Sequence, residues 1–196
     1  MTKTVEFYFD YGSPATYLAW TQLPGICHAH GASLAYRPML LGGVFKASGN
    51  QTPMAIPAKG RWLGEDLARF AKRYGVPYQM NPYFIINTLP LMRGVFWAQA
   101  TGVFEPYNNA MFRAMWVDAV DLNNPTEIAR VVNAAGMDAA AMAKAIGQDA
   151  IKQALVESTN GAVVRGVFGA PTMWVDGELH FGQDRLDWVT AALARV

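Results

Sequence analysis

The chain has 196 residues, of which 52% are hydrophobic and 16% charged, and its formal net charge is +1. This composition provides enough apolar surface for a globular core, and it excludes a membrane protein because no segment approaches the roughly 20 apolar residues of a membrane helix. The balanced charge, without a dense block of lysine and arginine, argues against nucleic acid and membrane surfaces as partners.

The first predicted elements are a strand, a tight turn and a helix. Thr4–Phe9 is apolar and aromatic, and Ser13-Pro14 begins a run of helix formers after a turn over residues 10–12. Proline is favoured at the first helical position. A helix start presents unpaired N–H groups and the positive end of the dipole, so an anion is favoured beside Ser13. After this helix, Ser33–Arg37 alternates as a second strand does.

The middle of the chain is predicted to be helical after one long loop. The segment Gly42–Gly60 is rich in Gly, Pro, Ser and Asn, which is typical of a loop. Loops of this length inside compact domains are usually functional. Beyond it, apolar residues recur at helical spacing. The predicted helices span residues 62–74, 89–100, 106–120, 125–135, 137–146 and 149–165.

The last part of the chain returns to strands. Thr172–Val175 and Glu178–Phe181 flank Asp176-Gly177, which is the strongest short-range hairpin signal, and Leu186–Arg195 follows as a helix. The element order is therefore β-α-β, a long helical insertion, then β-β-α. We predict an α/β thioredoxin-like core made of residues 1–41 and 161–196, split by an all-helical insertion domain of residues 42–160.

Pro171 is the second informative position. Cis X-Pro bonds are about 5–6% of such bonds in folded proteins, so a trans proline before a strand is the ordinary interpretation. Combined with Ser13-Pro14 and the hairpin, the sequence Gly169-Ala170-Pro171 favours the cis-proline of a thioredoxin fold, which faces the start of the first helix. Such a turn frees the backbone of Ala170 to pair with an extended peptide.

Several segments, in order, carry a resemblance that covers essentially the whole chain. They are residues 7–19 (FYFDYGSPATYLA), 36–50 (YRPMLLGGVFKASGN), 56–62 (IPAKGRW), 166–178 (GVFGAPTMWVDGE) and 181–186 (FGQDRL). The chain resembles the 2-hydroxychromene-2-carboxylate isomerase family and its relatives, the kappa-class glutathione transferases, in the DsbA-like branch of the thioredoxin superfamily. Ser13 and Thr16 replace both sulfurs of a Cys-X-X-Cys motif, so disulfide chemistry is rejected.

The resemblance implies glutathione as the cofactor. It places Ser13 against the glutathione sulfur and the Ala170-Pro171 pair against its cysteinyl backbone. The γ-glutamyl end would be held by Gln183, Asp184 and Arg185. Two residues of the inserted region, Asn50 and Lys59, would also reach glutathione. Plainer interpretations remain open, because Asn50 suits a turn, Lys59 a solvated loop, and Arg185 a surface ion pair.

The reaction implied by the resemblance is the isomerisation of 2-hydroxychromene-2-carboxylate to trans-o-hydroxybenzylidenepyruvate, in aromatic compound degradation. Arg37 is our candidate for the carboxylate of this small aromatic substrate, although a structural role is equally compatible. Tyr11, beside the serine, and Tyr83, in a Pro-rich loop, are candidates for the aromatic pocket. Relatives suggest a homodimer. The alternatives are a kappa-class-like transferase or peroxidase, since residues 37–60 look more like that class, and a non-catalytic thioredoxin-like peptide-binding module.

Metal and thiol chemistry of the chain itself are not expected. Cys27 is the single cysteine, which excludes an internal disulfide and fits a reducing compartment. His28 and His30 have no Cys or Asp cluster nearby and are predicted to be surface residues at a helix end. Because the first residues lack the layout of a signal peptide, we expect a cytoplasmic protein.

Overall fold

The computed structural model of the chain describes residues 2–195. The strands are β1 (Thr4–Phe9), β2 (Ser33–Pro38), β3 (Thr172–Val175) and β4 (Glu178–Phe181). The helices are α1 (Pro14–Ala29), α2 (Leu41–Ser48), α3 (Pro57–Tyr74), α4 (Leu89–Thr101), α5 (Phe104–Trp116), α6 (Pro125–Ala134), α7 (Ala139–Ala145), α8 (Asp149–Val164) and α9 (Leu186–Ala194), with 3₁₀ turns at Pro53–Ala55 and Gln183–Arg185. Within residues 2–195, none of the helices combines the length and apolarity that crossing a bilayer requires.

One mixed sheet joins the two ends of the chain. Its strand order is β2-β1-β3-β4, with β1 parallel to β2 and antiparallel to β3, while β3 and β4 form an antiparallel hairpin. At the centre, Phe7 lies opposite Tyr36 on one side and Met173 on the other. The predicted order β-α-β … β-β-α is confirmed, and the start of α1 therefore lies close to the residues just before β3.

The pleat of β1 distributes its side chains between two apolar layers. Val5, Phe7 and Phe9 are fully buried in the larger core, to which α1, α5 and α9 contribute. Tyr8 points to the opposite face, where it packs in a smaller cluster with Val44 of α2 and other residues. Burying one large apolar side chain contributes about 1.5–3 kcal/mol, so both faces of this strand stabilise the fold.

The prediction of a continuous loop over residues 42–60 is wrong. Most of this segment is helical, because α2 covers Leu41–Ser48 and α3 begins at Pro57. The Asp10 carboxylate accepts the Leu41 N–H at 2.7 Å, and Val44 is fully buried against the sheet. Tertiary contacts thus stabilise a helix that the local composition does not favour. The other predicted helices are confirmed, and the largest shift of an end is the start of α3, which lies five residues earlier than predicted.

Cys27 lies on the inner face of α1. It is 3% exposed, and burial raises the pKa of its thiol to about 11. At pH 8, about one thiol in a thousand would be ionised, and the thiolate is the reactive form. We therefore expect an aromatic disulfide reagent to leave the native protein unlabelled at pH 8 and to label one thiol per chain in denaturant. Rapid labelling of the native protein would contradict this assignment.

Candidate functional site

A cavity of about 860 Å³ lies where three parts of the chain meet. The turn between β1 and α1 forms its base, and residues 169–171 with residues 182–184 form one wall. The opposite wall comes from α2, α3 and the loop before α4. The sheet topology places the two distant segments together, and the helical insertion covers them.

Ser13 occupies the base of this cavity as the N-cap residue of α1. Its side chain is 6% exposed, its Oγ accepts the Thr16 N–H at 3.2 Å, and its hydroxyl donates to the Ala170 carbonyl oxygen at 3.0 Å. Pro14 occupies the first helical position, as predicted. The Ala15 N–H, on the cavity wall, has no hydrogen-bond partner among residues 2–195. An anionic atom beside Ser13 would therefore meet a hydroxyl, a free amide and the positive end of the helix dipole.

The peptide bond between Ala170 and Pro171 is cis, as predicted. Both residues line the cavity. The Ala170 carbonyl accepts the Ser13 hydroxyl, while the Ala170 N–H has no partner within the described part of the chain. This residue can therefore offer a donor and an acceptor to the backbone of an extended ligand.

Asp10 is a cavity residue that the sequence analysis did not assign. It is 1% exposed, and its carboxylate accepts the Gly12 N–H at 2.8 Å, the Leu41 N–H at 2.7 Å and the Thr88 hydroxyl at 3.1 Å. Burial raises the pKa of Asp10, and these three donors partly oppose that rise. Asp10 thus connects the turn below Ser13 to the start of α2 and to the loop before α4.

Asn50 lies on the cavity wall just after α2. Its Nδ2 donates to the Phe168 carbonyl at 2.9 Å, and its Oδ1 accepts the Gln51 N–H at 2.8 Å. The side chain therefore connects the inserted region to the segment that precedes Pro171. This position is compatible with a ligand contact, and it also gives Asn50 a structural task that the sequence did not suggest.

The charges of the cavity are unevenly distributed. Among the described residues, Lys59 is the one lysine or arginine on the cavity wall, and it forms no ion pair there. Three carboxyl groups share that wall: buried Asp10, Asp66 on α3, and Asp184. A ligand that carries both a carboxylate and an ammonium would find partners for each.

Residues 183–185 form the 3₁₀ turn before α9. Gln183 is 7% exposed, and its carbonyl accepts the Tyr74 hydroxyl at 2.7 Å, so the end of α3 is joined to this turn. Of the three residues predicted to hold the γ-glutamyl end, Gln183 and Asp184 line the cavity and Arg185 does not. The Arg185 guanidinium instead lies 3.0 Å from the Asp184 carboxylate in a half-exposed pair, which is the plainer of its two predicted roles.

The remaining wall is apolar. Phe45, Met80 and Phe84 line the interior, while Trp62 and Ile85 lie at the rim with exposed fractions of 59% and 70%. Large apolar side chains exposed together at one mouth indicate a binding surface for an apolar group. The sequence analysis preferred Tyr83 for the pocket, whereas the residues that line it are the next two, Phe84 and Ile85.

The three predicted aromatic-substrate contacts are not on the cavity wall. Tyr11 is fully buried, and its hydroxyl donates to Asn108 at 3.0 Å within the core. Arg37 points to the α2–α8 face of the sheet, where it lies 2.8 Å from the Glu6 carboxylate. Tyr83 is 52% exposed outside the lining. The prediction that these residues line the pocket is therefore corrected.

The histidines at the end of α1 lie apart from the cavity. His28 and His30 are exposed, as predicted. Between residues 2 and 195, no group of three or more His, Cys, Asp or Glu side chains is arranged to hold a metal ion.

Comparisons with known proteins agree with this geometry. A family model described as a DSBA-like thioredoxin domain matches residues 4–194. The chain is 31% identical to the 2-hydroxychromene-2-carboxylate isomerase of Sphingobium xenophagum, covering 98% of this chain and 99% of that one. It is 27% identical to glutathione S-transferase kappa 1 of Rattus norvegicus, over 94% and 88% of the two chains. A solved 2-hydroxychromene-2-carboxylate isomerase superposes with a TM-score of 0.88 at 30% identity, covering 98% and 95%.

Proposed function

Because the chain belongs to the DSBA-like thioredoxin family and, within it, to the 2-hydroxychromene-2-carboxylate isomerase family, we propose that it is a glutathione-dependent isomerase. This membership confirms the predicted α/β thioredoxin-like fold with a helical insertion. The proposed substrate is 2-hydroxychromene-2-carboxylate or a related aromatic acid, converted to trans-o-hydroxybenzylidenepyruvate or its counterpart. The catalytic residue would be Ser13.

The observation that carries this proposal is a helix start that faces a cis-proline with a serine, and no cysteine, between them. Ser13 lies at the N-terminus of α1, 3.0 Å from the carbonyl before the cis-proline, and the single cysteine of the chain is buried elsewhere. Any sulfur that reacts at this helix start must therefore come from a ligand. The names of the kappa-class relatives support glutathione as its source.

The residues of the cavity fit glutathione. The backbone of Ala170 offers a donor and an acceptor for the cysteinyl unit, and Lys59 offers a cation for a carboxylate. Asp184, with Gln183 beside it, would hold the γ-glutamyl ammonium. Asn50 would contribute by holding the inserted region against the cis-proline segment. Arg185 would act at most through its pair with Asp184.

The chemistry requires a reversible nucleophile. When bound, glutathione would supply a thiolate, a nucleophile able to add to a conjugated double bond, permit rotation about it, and be expelled when the enolate electrons re-form that bond. Ser13 and the Ala15 N–H would stabilise the anionic sulfur and lower the thiol pKa. The apolar wall around Phe84 would hold the aromatic ring and exclude water.

The first test is binding and turnover. Reduced glutathione at a hundred times its Kd should raise the Tm by roughly 5–10 °C. The purified protein should interconvert the two isomers only when glutathione is present, and the glutathione should remain unconsumed. S-methylglutathione, which lacks a free thiol, should stabilise the protein without supporting the reaction. Isomerisation that is indifferent to glutathione would contradict the proposal.

A second candidate is favoured by the large apolar wall and by the kappa-class relatives. A glutathione transferase or peroxidase would use the same thiolate on an external electrophile or peroxide. It would consume glutathione stoichiometrically, so the same assay distinguishes the two. The non-catalytic peptide-binding module is disfavoured, because both groups of curated relatives are enzymes by name.

We also propose the setting in which this enzyme acts. The single buried cysteine suits the reducing cytoplasm, where glutathione is abundant. We propose a role in aromatic compound degradation because of the proposed substrate, and a homodimer because of the resemblance to this family. The division into a core of residues 1–41 and 161–196 and an insertion of residues 42–160 stays a prediction.

A further inference from the structure

Thr16 carries a buried hydroxyl without a partner. The residue is 0% exposed, and within the described chain its Oγ1 forms no hydrogen bond. The other fully or nearly buried threonines are all paired: Thr88 donates to Asp10, Thr159 to the Leu155 carbonyl, and Thr172 to the Gly169 carbonyl. Leaving a buried polar group unpaired is costly, so an unpaired hydroxyl in one particular place calls for an explanation.

Thr16 is adjacent to the proposed catalytic serine. Thr16 lies in the first turn of α1, and Ser13 is the N-cap residue just before this helix, so the Ser13 side chain folds back toward Thr16. The Thr16 N–H already donates to Ser13 Oγ at 3.2 Å, and the Ser13 proton is directed to the Ala170 carbonyl at 3.0 Å. A hydroxyl oxygen has two lone pairs, so Ser13 Oγ can accept one further hydrogen bond.

Ligand binding would change the hydrogen bonds of Ser13. An amide N–H of a bound peptide can donate to the Ala170 carbonyl in place of the Ser13 hydroxyl, which can then donate its proton to the sulfur. A serine that donates to an anion is strengthened by hydrogen bonds donated to its own oxygen, because chains of hydrogen bonds polarise one another. Threonine in a helix uses two χ1 rotamers, so the Thr16 hydroxyl has the freedom to supply that bond.

We infer that Thr16 is a positioning residue, whose hydroxyl donates to Ser13 Oγ when Ser13 donates to a bound thiolate. The inference rests on the proposed function, and it gives the unpaired buried hydroxyl a partner. Thr16 would act through Ser13, since it does not itself line the cavity.

The test measures the pKa of the glutathione thiol bound to the protein. This pKa is obtained from a pH titration in which the ultraviolet absorbance of the thiolate is monitored. Thr16→Val keeps the shape and removes the hydroxyl, and we expect the bound-thiol pKa to rise by about 0.5–1 unit. Thr16→Ala should do the same, and Thr16→Ser should match the wild type. In the absence of glutathione, Thr16→Val should melt at or above the wild-type temperature, because it removes an unpaired buried group.

Thr21→Val is the matched control on the same helix. The Thr21 hydroxyl is paired with the Leu18 carbonyl at 2.7 Å and lies outside the cavity, so its loss should lower stability without changing the thiol pKa. A bound-thiol pKa that is unchanged in Thr16→Val and Thr16→Ala would overturn the inference and leave the proposed function intact. If the wild-type protein neither binds glutathione nor lowers the pKa of the glutathione thiol below about 8.5, both the inference and the proposed function are overturned.

Discussion

Replacing Ser13 with alanine is expected to lower the glutathione-dependent isomerisation rate by about 10²-fold or more. The substitution removes the hydroxyl that lies at the cavity base, 3.0 Å from the Ala170 carbonyl, and with it the donor proposed to stabilise the thiolate. The helix dipole and the Ala15 N–H would remain, so some activity should persist. The measurement is kcat/KM for both directions of the isomerisation, together with the pKa of the bound thiol, which should rise.

Stability has to be separated from chemistry in this variant, because Ser13 is also the N-cap of α1. Loss of an N-cap costs about 1 kcal/mol, so the variant should stay folded with a slightly lower Tm. Ser158→Ala is the matched control. The Ser158 hydroxyl also donates to a backbone carbonyl, that of Pro38, at 2.6 Å, but outside the cavity. The isomerisation rate of Ser158→Ala should equal that of the wild type. If the rate of Ser13→Ala lies within about threefold of the wild type, Ser13 has no role in the chemistry.

Replacing Gly94 with alanine is expected to lower the free energy of unfolding by about 2–4 kcal/mol. Gly94 lies on α4, and a methyl group there would overlap the Tyr107 hydroxyl of α5. Tyr107 is fully buried, and its hydroxyl donates to the Leu91 carbonyl at 2.8 Å, so the ring has no room to move aside. The clash outweighs the gain in helix propensity, which is at most about 1 kcal/mol. The difference in the free energy of unfolding is measured by urea denaturation monitored by circular dichroism.

Gly161→Ala is the matched control for Gly94→Ala. Gly161 lies on α8, where an added Cβ would have no neighbour within 4 Å, so alanine there should stabilise the protein by up to about 1 kcal/mol. Tyr107→Phe combined with Gly94→Ala should recover part of the lost stability, because it removes the overlapping oxygen. Equal stability of the two alanine variants would show that α4 and α5 do not approach each other as closely as described.

The elements with strong local signals were predictable from the sequence. Pro14 at a helix start, Asp176-Gly177 between two short strands, and glycines after apolar periodic segments each act within a few residues, so their effect does not depend on the rest of the fold. Helix α2 was not predictable in this way. Its residues include two glycines, and the helix forms because Asp10 caps Leu41 while Val44 packs against β1.

The same distinction applies to the site. Ser13 and Pro171 were identified because each lies in a short motif whose geometry the motif itself determines. Arg37 was misplaced because the face to which its side chain points depends on the pleat of β2, where a shift of one position reverses the face. Tyr11 was misplaced because the turn after β1 directs its ring into the core, where its hydroxyl donates to Asn108. The apolar wall was missed because its residues come from several separate helices and loops that converge only in the folded chain.

The pairing of β1 with β3 has a consequence for the newly made protein. A nascent chain that has been translated only as far as residue 165 already contains Ser13 and can form α1, but it has neither β3 nor the Ala170 carbonyl. Long-range pairing of this kind forms late and slowly. The ability to ionise a bound thiol would therefore arise only after residues 169–184 have left the ribosome.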